Sequence, residues 1–262
     1  MFRIMGYGLG IRRQVASTQL KKVYPDWSQS QHQKVLKGVY RQMALSILEE
    51  YVLDDSVLYA NSTINGREYV DAALAHNRGA ILATAHFGNW EAARILPMAD
   101  ISLSVIAKKQ RNTLFDDYTN AIRERNGVHV IDMKKGLRDI LTDLRGNRMV
   151  AILADQNAGS KGLVMDFLGY PASHWKGVAK ISLRYKIPIV PGFVVRDSDD
   201  NLSFEFCPMI YHPKLVDDEE NYPLILDQII QITQEFINKH PDHWFWVHKR
   251  WKHAYDMFED ID

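Results

Sequence analysis

Ala80-Ile81-Leu82-Ala83-Thr84-Ala85 runs directly into His86-Phe87-Gly88-Asn89-Trp90-Glu91 and then Ala92-Ala93-Arg94-Ile95-Leu96, which together read as strand, turn and helix. The first run is uncharged and almost wholly apolar, as expected of a strand covered on both faces. Gly88 and Asn89 supply a tight turn. His86 therefore falls just past a strand end, where sheets of this kind gather their active sites. Imidazole is the side chain best matched to proton transfer near neutral pH. Glu91, five residues on and in the first turn of the helix, is placed to fold back on His86 and fix its tautomer. No Ser or Cys stands in a recognisable nucleophile elbow nearby. The pair thus suggests a general base that activates a hydroxyl directly, without a covalent intermediate.

Outward from this stretch, strand and helix patterns alternate. Strands are predicted near 80–85, 103–107, 128–131, 149–154, 189–196 and 201–207, and helices near 90–98, 112–126, 135–146 and 174–186. One long helix is expected over 29–58, where Val35, Leu36, Val39, Met43, Ile47 and Leu48 recur at helical spacing. A second is expected over 67–77, and a last one over 222–239, with Pro241 just beyond its end. The alternation predicts an α/β fold: a single domain with a mostly parallel mixed sheet covered by helices, preceded by N-terminal helices. Asp155, like His86, sits just past an apolar strand, which is consistent with one shared site. Asp155-Gln156 reads equally well as a turn cap.

The 262 residues suffice for one large domain with a substantial core. Equal counts of basic and acidic residues, 32 each, give no global field to steer the chain toward nucleic acid. The single cysteine, Cys207, rules out an internal disulfide and reads as a small core residue in a strand. There is no G-x-S-x-G elbow, H-E-x-x-H, paired-cysteine metal spacing, P-loop or G-x-G-x-x-G fingerprint. Gly6-x-Gly8-x-Gly10 has the wrong spacing for a dinucleotide site. His240, His243, His248 and His253 fit no usual metal spacing, and neither metal nor cofactor is expected.

Three blocks carry a family resemblance. His86–Glu91 resembles the HxxxxD/E motif, in its HFGNWE form, of the bacterial lauroyl/myristoyl acyltransferases of lipid A biosynthesis. Leu153-Ala154-Asp155-Gln156-Asn157-Ala158-Gly159 resembles that family's second block, an apolar strand ending in Asp-Gln. His240-Pro241-Asp242-His243-Trp244-Phe245-Trp246-Val247-His248-Lys249-Arg250-Trp251-Lys252 resembles its C-terminal signature. The segment from Gly162 to Pro191 fits as well, with Phe167–Ala172 expected as an apolar strand. The resemblance spans roughly residues 5–253, and the blocks are specific in combination.

The resemblance implies an acyltransferase that moves a fatty acyl chain from acyl-acyl carrier protein, or acyl-CoA, to a hydroxyl of a lipid precursor. Lipid A-type precursors, glycolipids, phosphoinositol mannosides and amino-acid lipids are all acceptors among such proteins. It implies His86 as base with Glu91 as its partner, and Asp155 and Gln156 in the active site. With these go Asn89 and an anion-binding cation, for which Arg111 is the choice from Lys108, Lys109, Arg111, Lys161, Lys176 and Arg184. Phe87, Trp90 and the helix 90–98 are expected to wall an acyl groove, with backbone amides near Gly88, or Arg111, facing the oxyanion.

Charge is distributed unevenly. Residues 1–41 hold eight Lys or Arg, from Arg3 to Arg41, against the single acid Asp26, a net +7. The C-terminal Lys249-Arg250-Trp251-Lys252-His253 is basic too, close to Trp244 and Trp246. Basic residues among Trp and Tyr suit the headgroup layer of an anionic membrane. Residues 1–60 are therefore expected to form a basic, helical, membrane-associating part, and residues 61–262 the catalytic α/β core. No signal peptide and no run long enough to span a bilayer is evident. Many members of the resembled family carry an N-terminal membrane helix, and this chain is expected to begin near where such a helix would end. The resulting expectation is peripheral attachment to the cytoplasmic face of a bacterial inner membrane. A lipid-binding protein without catalysis and an acyl thioesterase are the competing readings.

Overall fold

The computed structural model describes residue 10, residues 12–134, residues 136–252 and residue 254. Arg3, Gly6, Gly8 and His253 lie outside the described residues. The strands are β1 (Ser62–Asn65), β2 (Ala80–Thr84), β3 (Leu103–Ala107), β4 (His129–Asp132), β5 (Met149–Leu153), β6 (Leu163–Phe167), β7 (Tyr170–His174), β8 (Ile189–Arg196) and β9 (Leu202–Phe206). The helices are α1 (Arg13–Val23), α2 (Gln29–Tyr51), α3 (Asp55–Ala60), α4 (Arg67–Leu74), α5 (Thr113–Glu124), α6 (Leu137–Arg145), α7 (Gly177–Tyr185) and α8 (Tyr222–Lys239), with a 3-10 segment over Trp90–Ala99.

Seven strands form one sheet in the order β1-β9-β8-β2-β5-β3-β4. From β8 to β4 the pairing is parallel, and the β8–β9 hairpin adds an antiparallel edge beside β1. This is the single-domain mixed α/β sheet that the alternation predicts. The central strands feed two hydrophobic layers. Ile81, Ala83, Val150 and Ile152 face one, whereas Ala80, Leu82, Met149 and Ala151 face the other. Side chains alternate across a strand, so a strand buried on both faces must be apolar throughout.

Several elements differ from the sequence expectation. The helix expected over 29–58 breaks after Tyr51, because the Asp54 side chain accepts from the Ser56 amide and starts α3 afresh. The run 90–99 is 3-10 and contains Pro97, which cannot donate to a helical ladder. Phe167–Ala172 is a hairpin corner, not one strand. Leu168 and Gly169 both take positive φ, the geometry of a two-residue turn between β6 and β7. Among the described residues no helix is long and apolar enough to cross a membrane.

Candidate active site

Strand register brings the first two site residues together. Thr84 on β2 lies opposite Leu153 on β5, so two residues further along, His86 and Asp155 emerge side by side at the carboxyl edge of the sheet. His86 Nδ1 donates to Asp155 Oδ1 at 2.8 Å, and the His86 backbone N–H donates to Asp155 Oδ2 at 3.0 Å. Trp244 Nε1 donates to the same Oδ2 at 2.9 Å. With Nδ1 protonated by this contact, Nε2 carries the lone pair, and the Gln156 amide donates to it at 3.2 Å. Burial presses the His86 pKa down. The Asp155 carboxylate, its hydrogen bond and the charge of Glu91 overcome this and leave it raised above 6.5. Burial presses Asp155 up, but His86 and Trp244 hold it below the ordinary carboxylate range.

Glu91 does not touch His86. Arg123 of α5 donates to both of its carboxylate oxygens, Nε to Oε2 at 2.9 Å and Nη2 to Oε1 at 2.7 Å. Trp90 Nε1 adds a third bond at 3.2 Å. The partner expected for His86 is thus corrected from Glu91 to Asp155. A guanidinium fork satisfies both oxygens of Glu91, which a single imidazole N–H cannot. Glu50 stands beside this pair, its carboxyl pushed up to about 7 by burial and by the charge of Glu91, with Arg123 opposing.

The turn between them is rigid. Gly88 has φ +56°, and a Cβ there would sit 1.9 Å from the Val194 carbonyl oxygen. Its amide donates to the His243 carbonyl oxygen at 2.8 Å, so it is not a spare oxyanion donor as expected. Asn89 is 0% exposed and fully used. Its Oδ1 accepts from the Ala92 amide at 3.2 Å and its Nδ2 donates to Glu49 at 2.7 Å. Glu49 is gripped in turn by both terminal guanidinium nitrogens of Arg196. Asn89 therefore caps and anchors the turn and leaves no surface for a substrate, contrary to the sequence expectation. Phe87 is likewise a core residue, packed on Phe193, Phe236 and His243 rather than walling a groove.

Two cavities meet at His86. A slot of about 200 Å³ is lined by the polar His86, Glu91 and Arg123 and by the apolar Leu82, Phe204 and Phe206. Its lining draws on five neighbouring strands, β3, β5, β2, β8 and β9. At ~4.8 Å between strands this is a run of about 19 Å. A wider cavity of about 670 Å³ is lined by Ile106, Ile131, Ile140 and Ile152, with Gln156 and Asn157 as polar groups. Lys108 lines both cavities, whereas Arg111 is exposed and lines neither. The cations at the site are thus Lys108 and Arg123. Lys176 is engaged with Glu219 at 2.7 Å.

Residues 3–253 match the sequence model of the family described as bacterial lipid A biosynthesis acyltransferase. The chain belongs to that family. Among its relatives is the lipid A biosynthesis acyltransferase of Haemophilus influenzae, 24% identical over 93% of this chain and 76% of the relative. The phosphatidylinositol mannoside acyltransferase of Mycobacterium tuberculosis is 31% identical over 49% of this chain. That of Mycolicibacterium smegmatis is 25% identical over 47%. The match spans only 42% of the length of either mycobacterial relative.

In this family member the C-terminal signature underpins the site. The Phe245 amide donates to the His86 carbonyl oxygen at 3.0 Å, and Trp244 bridges to Phe87 in a short antiparallel contact. Two histidines of that stretch serve the scaffold. His243 Nε2 accepts from the Arg196 amide at 3.1 Å, while His240 lies against the His243 ring. Cys207 is half-buried, its thiol pushed up to about 11 by burial and so inert at neutral pH. Sequence reasoning missed Arg123, Glu50 and Trp244 as parts of the site. Arg123 and Glu50 lie in ordinary helical patterns, and Trp244 stands in the sequence only as part of a signature and beside a basic stretch expected at a membrane; Trp244, Trp246, Arg250 and Trp251 are instead buried.

Proposed function

We propose that this chain is a peripheral membrane O-acyltransferase. It would carry a fatty acyl group from a thioester, acyl-acyl carrier protein or acyl-CoA, to a hydroxyl of a lipid A-type or related glycolipid or aminolipid precursor. Its place would be the cytoplasmic face of a bacterial inner membrane, with residues 1–60 contributing to attachment. The observation that carries this reading is the placement of His86 Nε2, backed by Asp155, at the junction of the two cavities.

In this reading the acyl chain lies in the narrow apolar slot and the acceptor enters through the wider cavity. The acceptor hydroxyl displaces the Gln156 amide from Nε2. As its oxygen attacks the thioester carbonyl, His86 takes the proton, and Asp155 stabilises the imidazolium formed. Lys108, which lines both cavities, and the freed Gln156 amide would face the developing oxyanion, an effect usually worth about 3 kcal/mol. Collapse of the tetrahedral adduct breaks the carbon–sulfur bond, and the imidazolium returns its proton to the departing thiolate. Glu91 acts at one remove, holding Arg123 and Trp90 at the slot mouth.

The test is transfer from labelled acyl-acyl carrier protein and acyl-CoA to a panel of lipid extracts, run beside His86→Ala. Acceptor-dependent label in lipid, reduced at least about a hundredfold in the variant, is expected. Label released only as free fatty acid would make the protein a thioesterase. A folded His86→Ala protein with wild-type transfer would overturn the assignment of the base.

A further inference from the structure

The carboxyl edge of the sheet carries apolar side chains that the core does not use. The end of α2 and the first turns of α5 lie together there. The Tyr51 ring is 5.9 Å from Phe115 and 6.1 Å from Tyr118. Val52 is 76% exposed and Leu114 81%, with Phe115 and Tyr118 exposed beside them. Single apolar residues on a surface need no explanation, but a contiguous group marks an interaction site.

The same edge is cationic. Lys108, Lys109 and Arg111 are all exposed in the loop that leads into α5, and none forms an ion pair with a carboxylate among the described residues. Nearby acids are largely engaged. Asp116 is buried and accepts from the Gln110 amide at 2.9 Å, and Asp54 accepts from Ser56. Asp117 is exposed on α5. Lys108 also lines both cavities, so the patch borders their mouths.

We propose that this patch is the surface by which the protein lies on an anionic bilayer. Tyr51, Val52, Leu114, Phe115 and Tyr118 enter the headgroup–acyl boundary, while Lys108, Lys109 and Arg111 meet lipid phosphates. The combination of exposed aromatic and aliphatic groups with a cationic rim fits a lipid interface, since an acidic protein would need the cations alone. The proposal rests on the acyltransfer reading and sharpens it, because it brings the cavity mouths to the level where lipid substrates lie. It also places the contact at one end of α2. The exposed Lys34 and Lys37 belong to the opposite end, about 25 Å from Val52 at the helical rise.

The experiment is co-sedimentation of the full chain with vesicles of phosphatidylcholine alone or with one-third phosphatidylglycerol. Leu114→Glu/Phe115→Glu adds acids to the first turn of α5, which a helix start favours. It is expected to weaken binding to anionic vesicles at least about tenfold, and Lys109→Glu by about fivefold or more. Lys34→Glu/Lys37→Glu should stay within about twofold of wild type. His86→Ala should bind as wild type does while failing in transfer, which separates this proposal from the catalytic reading. Wild-type binding by both Leu114→Glu/Phe115→Glu and Lys109→Glu overturns the proposal, as does loss confined to Lys34→Glu/Lys37→Glu. If the patch variants keep vesicle binding and instead lose affinity for acyl carrier protein, the patch docks that protein and the proposal fails.

Discussion

Asp155 is the residue on which the electrostatics of the site turn. Its two oxygens receive His86 Nδ1, the His86 amide and Trp244 Nε1, all within 3.0 Å. A buried carboxylate with three donors stays ionised, and that charge holds the His86 pKa above 6.5 despite burial. A base must be neutral to work, so kcat/KM should fall on the acid side of a pKa above 6.5. Asp155→Asn removes the charge that raises this pKa. The limb should therefore move to lower pH, while kcat at pH 8 falls about a thousandfold as the imidazole loses its fixed tautomer. A pH profile of kcat/KM checks both, and an unmoved limb would remove Asp155 from this role. Glu91→Gln should affect KM more than the limb, since Glu91 reaches His86 only through its field. The sequence shows the histidine and both carboxylates but not which one pairs with it. That choice depends on β2 lying beside β5, a fact of sheet order that no local pattern records.

Among the elements, those whose burial leaves a mark in the sequence were legible. β2 and β5, and β8 up to its last residue Arg196, carry no charge because both faces are covered, and α8 carries its apolar stripe against the sheet. β1 left no mark: Ser62–Asn65 is a short edge strand with alternate residues exposed. α1 has only Ala16, Gln19 and Leu20 buried, too few for a visible period. The two cavities were illegible for a different reason, since each is assembled from residues of several strands and loops far apart in the chain. Gly192 offers a test of which cavity holds the acyl chain. A Cβ there would meet Phe206 Cδ1 at 2.8 Å and Leu82 Cδ1 at 2.9 Å, the apolar wall of the slot. Gly192→Val should push these side chains into the slot and shift transfer toward shorter acyl chains, with rates on short chains preserved. Competition among donors of graded length measures this. An unchanged length profile would move the acyl chain to the wider cavity.

Across the whole molecule, α1 is tied to the C-terminal signature segment that backs the site. Gln19 of α1 donates to the Trp246 carbonyl oxygen at 2.6 Å and to that of His248 at 2.9 Å, and accepts from the Arg250 amide at 3.0 Å. Arg250 is itself buried, donating to the Ser173 carbonyl oxygen at 2.6 Å and lying over the Phe167 ring at 4.9 Å. Burial of the adjoining His174, with the Arg250 charge beside it, lowers that imidazole's pKa to about 3, so it stays neutral. Through Phe245 and His243 the same segment is bonded to His86 and Gly88. Gln19→Leu leaves two carbonyls and one amide buried without partners, a loss of about 2–4 kcal/mol. For a domain of this size that corresponds to a Tm lower by roughly 5–15 °C. If the C-terminal segment positions the catalytic turn, kcat should fall several-fold in the folded variant with the acid limb unmoved, because the His86–Asp155 pair keeps its own contacts. A melting curve and a pH profile on one preparation decide this. A lower Tm with unchanged kcat would confine the segment to stability, whereas a shifted limb would mean that it reaches the electrostatics of His86 as well.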